Sequence, residues 1–378
     1  MKAPAAILEA VQSQSNWIAT TLRDLVLVES PSDSKPAVDE AVRLVASLAK
    51  TVGGRVKLHR QKLFGDVLEV RFGSARGGRK PVMLLGHLDT VWPLGTLRTM
   101  PWRKRDGRFY GPGVLDMKSG VVMALAAIRV LDKVGVSRPI TLLLNSDEEV
   151  GSPASRPITE RLALASQAVL VLEPAQGLAC KTARKGVGGY RLHVTGVASH
   201  SGVDFASGHS AILELARLLQ TVASFTKPSV GRTVNPGVIS GGTRANVVAE
   251  HANAEVDVRI AYACDAPRLD KLFRNLHCAD PACKLEITGS INRPPMERKP
   301  GTVALYKQAR KLAAELGFQL DEAATGGASD GNFTAALGVP TLDGLGAVGE
   351  GAHAAHESIL IDHLVPRTAL LAALLANL

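Results

Sequence analysis

The sequence predicts an α/β protein: a mostly parallel sheet with helices on both faces, plus a smaller inserted α+β domain. Three observations predict it. Short apolar runs alternate with helical periodicity up to about residue 175, the texture changes after about residue 183, and the first pattern resumes from about residue 300. At 378 residues the chain exceeds the roughly 100–200 residues of one domain. A composition 46% hydrophobic and 21% charged supplies enough apolar material for one or two buried cores. The expected division is a discontinuous larger domain, residues 1–183 and 296–378, with residues 184–295 inserted as the smaller one.

The elements follow in order. Over residues 38–48, Val38, Val42, Val45 and Leu48 recur at helical spacing, and Gly53-Gly54 ends the pattern. Residues 81–85 form a short apolar block closed by Gly86, the mark of a buried parallel strand. A helix rich in small residues is expected at 119–134, and further strands at 140–144 and 168–172. Beyond residue 183, strand 190–194 alternates, a helix follows at about 211–223, and strands follow at 254–260 and 284–288. The limits of this β-α-β-β insertion are marked by Gly186-Val187-Gly188-Gly189 and Arg293-Pro294-Pro295. A helix at 301–316, a strand near 339–343 and a last helix at about 363–377 complete the larger domain.

Composition excludes several classes. Aromatic residues make up 4% of the chain, too few for a protein that stacks nucleic-acid bases. The net charge of +9 fits either steering of anionic substrates or an ordinary basic surface, and its scatter favours the latter. The densest cluster, Arg103, Lys104, Arg105 and Arg108, is far shorter than a nucleic-acid-binding stripe. Cys180, Cys264, Cys278 and Cys283 are too few and too irregular for a disulfide framework; Cys278 and Cys283 could bridge in an oxidising compartment, but free thiols are expected. Glu9, Gln12 and Gln14 interrupt the amino-terminal stretch before a signal-length apolar run develops, and no apolar stretch is long enough to span a membrane. A cytoplasmic protein without a membrane or nucleic-acid partner is expected.

The chemistry lies where the apolar runs stop. Residues 81–85 lead to His87 and Asp89, residues 140–144 to Asp147, Glu148 and Glu149, residues 168–172 to Glu173, and the glycine-rich stretch after 339–343 to His353. Asp116 sits in a Gly-rich loop just ahead of a helix. Ligands of open α/β sheets bind beyond the carboxyl ends of the strands, so these side chains can converge. Singly, each also fits a plain role: His87 and His353 as loop histidines, Glu148-Glu149 as a solvated turn, Asp116 as a helix cap. Their joint placement at successive strand ends makes a shared metal centre equally tenable.

Charge arithmetic favours two ions. Asp116, Glu149 and Glu173 bring three negative charges against the four positive charges of two Zn²⁺, and one hydroxide closes the sum. If Asp116 bridges, one ion takes His87 and Glu173 and the other Glu149 and His353. Ions bridged in this way lie about 3.5–4 Å apart and share one water. Asp89 can accept the other N–H of His87. Glu148 is then the spare carboxylate, placed to act as general base.

Gly86-His87-Leu88-Asp89-Thr90, Gly111-Pro112-Gly113-Val114-Leu115-Asp116-Met117-Lys118, Asp147-Glu148-Glu149-Val150-Gly151, Leu172-Glu173-Pro174 and His353-Ala354-Ala355-His356-Glu357 together resemble the metal-site motifs of the dizinc aminoacylase/carboxypeptidase (M20-type) family of metallopeptidases. They occur in the right order over nearly the whole chain. The resemblance implies two zinc ions held by His87, Asp116, Glu149, Glu173 and His353, with Glu148 as the base. His356 is an alternative imidazole, but the spacing to Glu357 selects His353. It further implies that residues 1–183 and 296–378 form the catalytic domain and that the insertion serves as lid and dimerisation domain. Ser199-His200-Ser201-Gly202 resembles the segment supplying a histidine to the partner subunit's active site, where His200 would stabilise the oxyanion.

Within the family the nearest likeness is to the glutamate carboxypeptidases, through Gly241-Gly242-Thr243-Arg244-Ala245-Asn246, Val256-Asp257-Val258-Arg259 and Ser290-Ile291-Asn292-Arg293-Pro294. Asn246, Arg259 and Arg293 are therefore candidates for holding the substrate, arginine being suited to bidentate carboxylate recognition; Arg259 equally suits an internal ion pair. The loop Gly326-Gly327-Ala328-Ser329-Asp330 would line the same pocket through Gly327, and it lacks the Lys-Ser/Thr of a phosphate loop. The expected activity is zinc-dependent release of a C-terminal amino acid, glutamate first, by a homodimer acting on a substrate with a free carboxylate. The alternatives are deacylation of an N-acyl amino acid and, remotely, a metal-free binding protein on the same fold.

Overall fold

The computed structural model describes residues 4–74 and 78–378, so the first three residues of the amino-terminal stretch lie outside it. Chain contacts divide the protein into two units: Met1–Ala183 with Arg298–Ala324 and Ser329–Leu378, and Arg184–Glu297 with Thr325–Ala328.

In chain order the first unit opens with helices α1 (Pro4–Gln12), α2 (Ser15–Val26) and α3 (Lys35–Thr51). In α3 the spacing of Val38, Ala41, Val42, Val45 and Ala49 makes one buried stripe, and a proline in the first turn starts the helix without losing a bond. Strands β1 (Arg55–His59), β2 (Val67–Phe72), β3 (Val82–His87), β4 (Ile140–Asn145) and β5 (Ala168–Val171) follow, with α4 (Ser119–Lys133) and α5 (Arg156–Leu164) as crossovers. The second unit holds β6 (Gly186–Thr195), α6 (Ala211–Ala223), β7 (Thr233–Gly241), β8 (His251–Ile260), α7 (Asp265–Arg274) and β9 (Lys284–Arg293). The chain returns through α8 (Pro300–Glu315), α9 (Gly331–Ala336), β10 (Thr341–Leu342) and α10 (Leu364–Asn377).

The main sheet runs β1-β2-β4-β3-β5-β10. Pairings β4–β3, β3–β5 and β5–β10 are parallel, whereas β1 and β2 form an antiparallel edge. The pleat sends alternate residues to opposite cores. Val82, Leu84, Leu142 and Leu170 face the large cluster that includes α4 and α10; Met83, Leu85, Leu143 and Val171 face a smaller one with Leu162 of α5. Apolar burial on both faces explains why β3, β4 and β5 read as unbroken hydrophobic runs.

Strands β1 and β2 carry no unbroken apolar run that marks them in the sequence. Glu69 breaks the apolar run of β2, yet it is fully buried because His59 and Arg71 bond its carboxylate at 2.7 and 2.6 Å. No periodicity rule anticipates a paired carboxylate at a buried strand position.

In the second unit the antiparallel order is β7-β8-β6-β9. Tyr190, Leu192, Val194, Val256, Val258 and Ile260 line one face beneath α6 and α7, with Tyr190 stacked on Phe273 at 3.8 Å. Strand β7 and helix α7 are likewise unmarked in the sequence. A register shift between Pro236 and Val238 interrupts the mostly exposed β7, and α7 buries few apolar side chains beyond Leu269 and Phe273. All four cysteines are free thiols. Among the described residues no helix is long and apolar enough to cross a membrane.

Candidate metal centre

The first-unit strands deliver their polar ends to one place. His87 closes β3 and is 1% exposed. Its main-chain N–H donates to Met117 Sδ at 3.4 Å, and its Nδ1 meets the carbonyl oxygen of Asp89 at 2.9 Å. A carbonyl only accepts, so Nδ1 carries the proton and the lone pair of neutral His87 lies on Nε2. That Nε2 faces Asp116 Oδ1 at 3.3 Å and Glu173 Oε1 at 3.7 Å.

The Asp89 side chain does less for His87 than expected, its Oδ1 standing 3.4 Å from Nδ1. Fully buried, the Asp89 carboxylate accepts from Ser32 Oγ at 2.7 Å and from the N–H groups of Glu148 and Glu149 at 3.2 and 3.1 Å. Asp89 thus ties the end of β3 to the turn after β4, and the nearer orienting group for the imidazole is its own carbonyl.

That turn, Glu148–Val150, is a single 3-10 turn ended by Gly151 in the left-handed region. Asp147 anchors its start by accepting from the Ala154 and Ser155 N–H groups at 2.7 and 3.2 Å. Glu173 follows β5 by two residues. The packing there needs Gly120 at the start of α4, since a Cβ at that position would lie 2.1 Å from the Leu172 carbonyl oxygen.

Asp116 occupies the turn Val114–Lys118, where its φ of −112° and ψ of 94° leave helical geometry; the peptide bond to Met117 is cis. His353 is held at φ +62°, a region costly for a residue with a Cβ. Its Nε2 lies 3.4 Å from Asp116 Oδ2 and 3.3 Å from Glu149 Oε2. His353, half-exposed itself, and not His356 therefore faces the acidic cluster.

The two oxygens of Asp116 thus face two different histidine–carboxylate pairs. The donor set suits metal ions. Ligands about 2.0–2.1 Å from a tetrahedral zinc stand roughly 3.3 Å from each other, close to the separations just given. Glu149 Oε1 is buried without a hydrogen-bond partner, an acceptor with no proton to accept. His87, Glu148 and Glu173 form one group whose potential ligand atoms all lie within 4.8 Å, and His87, Asp116 and Glu149 form another. Glu148 itself lies within ligand range, so proximity alone leaves it either role. The cluster draws positive charge: bonds from Asp116 and then Glu149 push His353 up to about 10, against its partial burial. For His87, burial pulls the other way, but Asp116, Asp89 and Glu148 outweigh it and raise the imidazole.

In the second unit His200 is exposed, and its Nδ1 accepts from the Gly202 and Val203 N–H groups at 3.1 and 3.2 Å. The proton of the neutral ring is thereby assigned to Nε2. Asn246 lies beside it, since His200 bridges Val247 and the Ser201 N–H reaches the Asn246 carbonyl at 3.1 Å. Arg259 and Arg293 flank Val187 from the two neighbouring strands. The Arg259 guanidinium is already bidentate to Asp257 at 2.9 Å on both oxygens, and its Nη1 reaches the Gly326 carbonyl at 3.4 Å. Gly327 is in an open loop whose carbonyl accepts from Arg184 Nη1 at 3.2 Å.

The sequence profile of "Peptidase family M20/M25/M40" matches residues 83–377. The chain belongs to that family. Carboxypeptidase G2 of Pseudomonas sp. (strain RS-16) is 27% identical over 376 residues, 97% of this chain and 90% of that protein. Succinyl-diaminopimelate desuccinylase of Delftia acidovorans is 28% identical over 318 residues, 78% of this chain and 80% of that protein. The crystal structure of aminopeptidase PepT from Bacillus cereus superposes with a TM-score of 0.82 at 20% identity, covering 96% of this chain and 98% of that one. This M20 chain is thus a hydrolase, with peptidases and deacylases among its relatives.

Three residues escaped the sequence reading of this family member. Glu357, counted there only as spacing, is fully buried and accepts four hydrogen bonds around the Asp116 turn. Lys118 is buried beside it and donates to the Val28 carbonyl at 2.8 Å; burial lowers its amine to about 8, with Glu357 and Glu29 opposing. Arg184, 4% exposed, braces the Gly327 loop. No sequence signal marks these three, because the burial that sets them apart is not visible in the sequence.

Proposed function

We propose that this M20 hydrolase is a dizinc carboxypeptidase that cleaves the amide bond to a C-terminal amino acid, glutamate first, and that a dimer is its working form. The observation that carries the reading is the Asp116 carboxylate, one oxygen meeting His87, which also meets Glu173, and the other meeting His353, which also meets Glu149. Two Zn²⁺ ions held by these five residues would acidify a water and polarise the scissile carbonyl. Glu148, next in the chain to Glu149 and 7% exposed, takes the proton of the attacking water and passes it to the leaving amide nitrogen. His200 donates from Nε2 to the carbonyl oxygen as charge builds there.

Arg259 and Arg293 hold the substrate carboxylate, and Asn246 and the Gly327 loop contribute further substrate contacts. The Asp257 pair aims the Arg259 guanidinium, and its Nη1, at the long distance of 3.4 Å from the Gly326 carbonyl, turns to the substrate. Full-length similarity to carboxypeptidase G2 supports the glutamate reading, and similarity to a desuccinylase supports the second one, deacylation of a small N-acyl amino acid. Hydrolysis rates on a panel of folyl-glutamate, dipeptides and N-acyl amino acids separate the two.

Glu148→Gln tests the mechanism. Turnover should fall by at least about 10²–10⁴-fold, the range for losing an acid–base group, while metal content stays that of the parent. Loss of metal in this variant would make Glu148 a ligand and overturn its assignment as base.

A further inference from the structure

We propose that Glu357 is a positioning residue that sets Asp116 and His353 together, so that its loss weakens the metal position on the His353 side more than that on the His87 side. This rests on the two-metal reading above. Glu357 Oε1 accepts the N–H groups of Leu115 and Asp116 at 2.8 and 3.0 Å. Oε2 accepts from the Gly113 N–H at 2.9 Å and from Trp92 Nε1 at 2.8 Å. Three N–H groups of one loop therefore converge on one fully buried carboxylate, one of them belonging to Asp116 itself.

The same residue ends the segment that carries His353. Between them the chain is a tight turn, with the Ala354 N–H on the Gly351 carbonyl and the Glu357 N–H on the Ala354 carbonyl, both at 2.8 Å. The short strands Gly349–Glu350 and Ser358–Leu360 pair on either side of this turn, and Ser358–Leu360 also pairs with Arg108–Tyr110, which runs straight into the Asp116 loop. One small sheet thus launches both loops, and Glu357 is the clasp across them. Held at φ +62°, His353 does not keep its place by local preference; the clasped turn keeps it there.

The asymmetry follows from ligand ownership. On the His353 side, Asp116 and His353 both depend on the clasp, leaving Glu149 independent of it. On the His87 side, His87 and Glu173 come from β3 and β5 and are independent; Asp116 alone is shared. Glutamine cannot replace Glu357, because either orientation of its amide turns an NH₂ toward two N–H donors.

The test is a titration of metal-stripped, full-length protein with Zn²⁺ under chelator competition, repeated with Co²⁺ to read coordination from its visible spectrum. The parent should take up two equivalents. In Glu357→Gln one equivalent should stay within about threefold, and the other, the one that His353→Ala removes, should weaken by about 10–100-fold, as for loss of a group that orients a ligand. Trp92→Phe removes one of the four bonds and leaves the carboxylate, so it should weaken the same equivalent by roughly fivefold; it decides the matter if Glu357→Gln does not fold. Equal weakening of both equivalents, or no change in either, overturns the inference while the two-metal reading stands. A parent that takes up no metal overturns both.

Discussion

Glu148 and Glu149 are adjacent in the chain, and the proposed function gives them different tasks. Asp89 takes both of their N–H groups, which fixes the turn with Glu149 facing His353 and Glu148 beside His87 and Glu173. At this scale His200 yields a second test. Its ring is held in the Nε2–H form by two main-chain donors on Nδ1, the form an oxyanion donor needs. His200→Ala should lower kcat by about 10²–10³ with little change in KM. A kcat within a few fold of the parent, measured by steady-state kinetics, would leave His200 a turn residue. The residue types themselves were readable as candidates, because His, Asp and Glu at the ends of apolar runs are few. Glu357 was not, because a carboxylate four residues after a histidine carries no mark of which N–H groups will surround it.

Between elements, the centre depends on close approaches that side chains would prevent. Helix α4 starts against the chain leaving β5, with Gly120 beneath the Leu172 carbonyl. Gly120→Ala must displace either the helix or Leu172 and with it Glu173, so a loss of about 1–3 kcal/mol is expected, the usual range for overpacking. Denaturant unfolding measures it, and stability equal to the parent would show that the approach is not constrained. The strands β3, β4 and β5 were legible because both faces are buried and the run is uniformly apolar. By contrast β2 was hidden by Glu69, whose carboxylate is bonded by Arg71 of the same strand and by His59 of β1, and β7 by its exposure and its register shift.

At the scale of the whole molecule, the open edge of β7 bears on assembly. Val238 and Ile239 on that strand are 58% and 60% exposed, and Leu213 on α6 is 57% exposed. An unpaired strand edge beside apolar side chains invites pairing with a second copy, which supports the proposed homodimer. If His200 of one copy serves the other's centre, two inactive variants should complement. Mixing Glu148→Gln and His200→Ala chains after reversible dissociation should restore about one quarter of parental activity, since about half the dimers are mixed and each has one intact centre. Activity no higher than the sum of the two variants would place His200 in service of its own chain's centre or of neither.

The amino-acid sequence by itself determined the periodicities, and through them the parallel core of the sheet, the main helices and the set of polar residues that end the strands. Such features are local, because burial on one or two faces imprints a repeat on the chain. What only the tertiary structure decided is which of those polar ends meet. Asp116 lies 29 residues from His87 yet only 3.3 Å away, and the clasp of Glu357 on the Asp116 turn spans 241 residues. Contacts at that separation are made by strand order and loop packing, and the hydrogen bonds that fix them use main-chain groups that every residue possesses. No side-chain pattern records them.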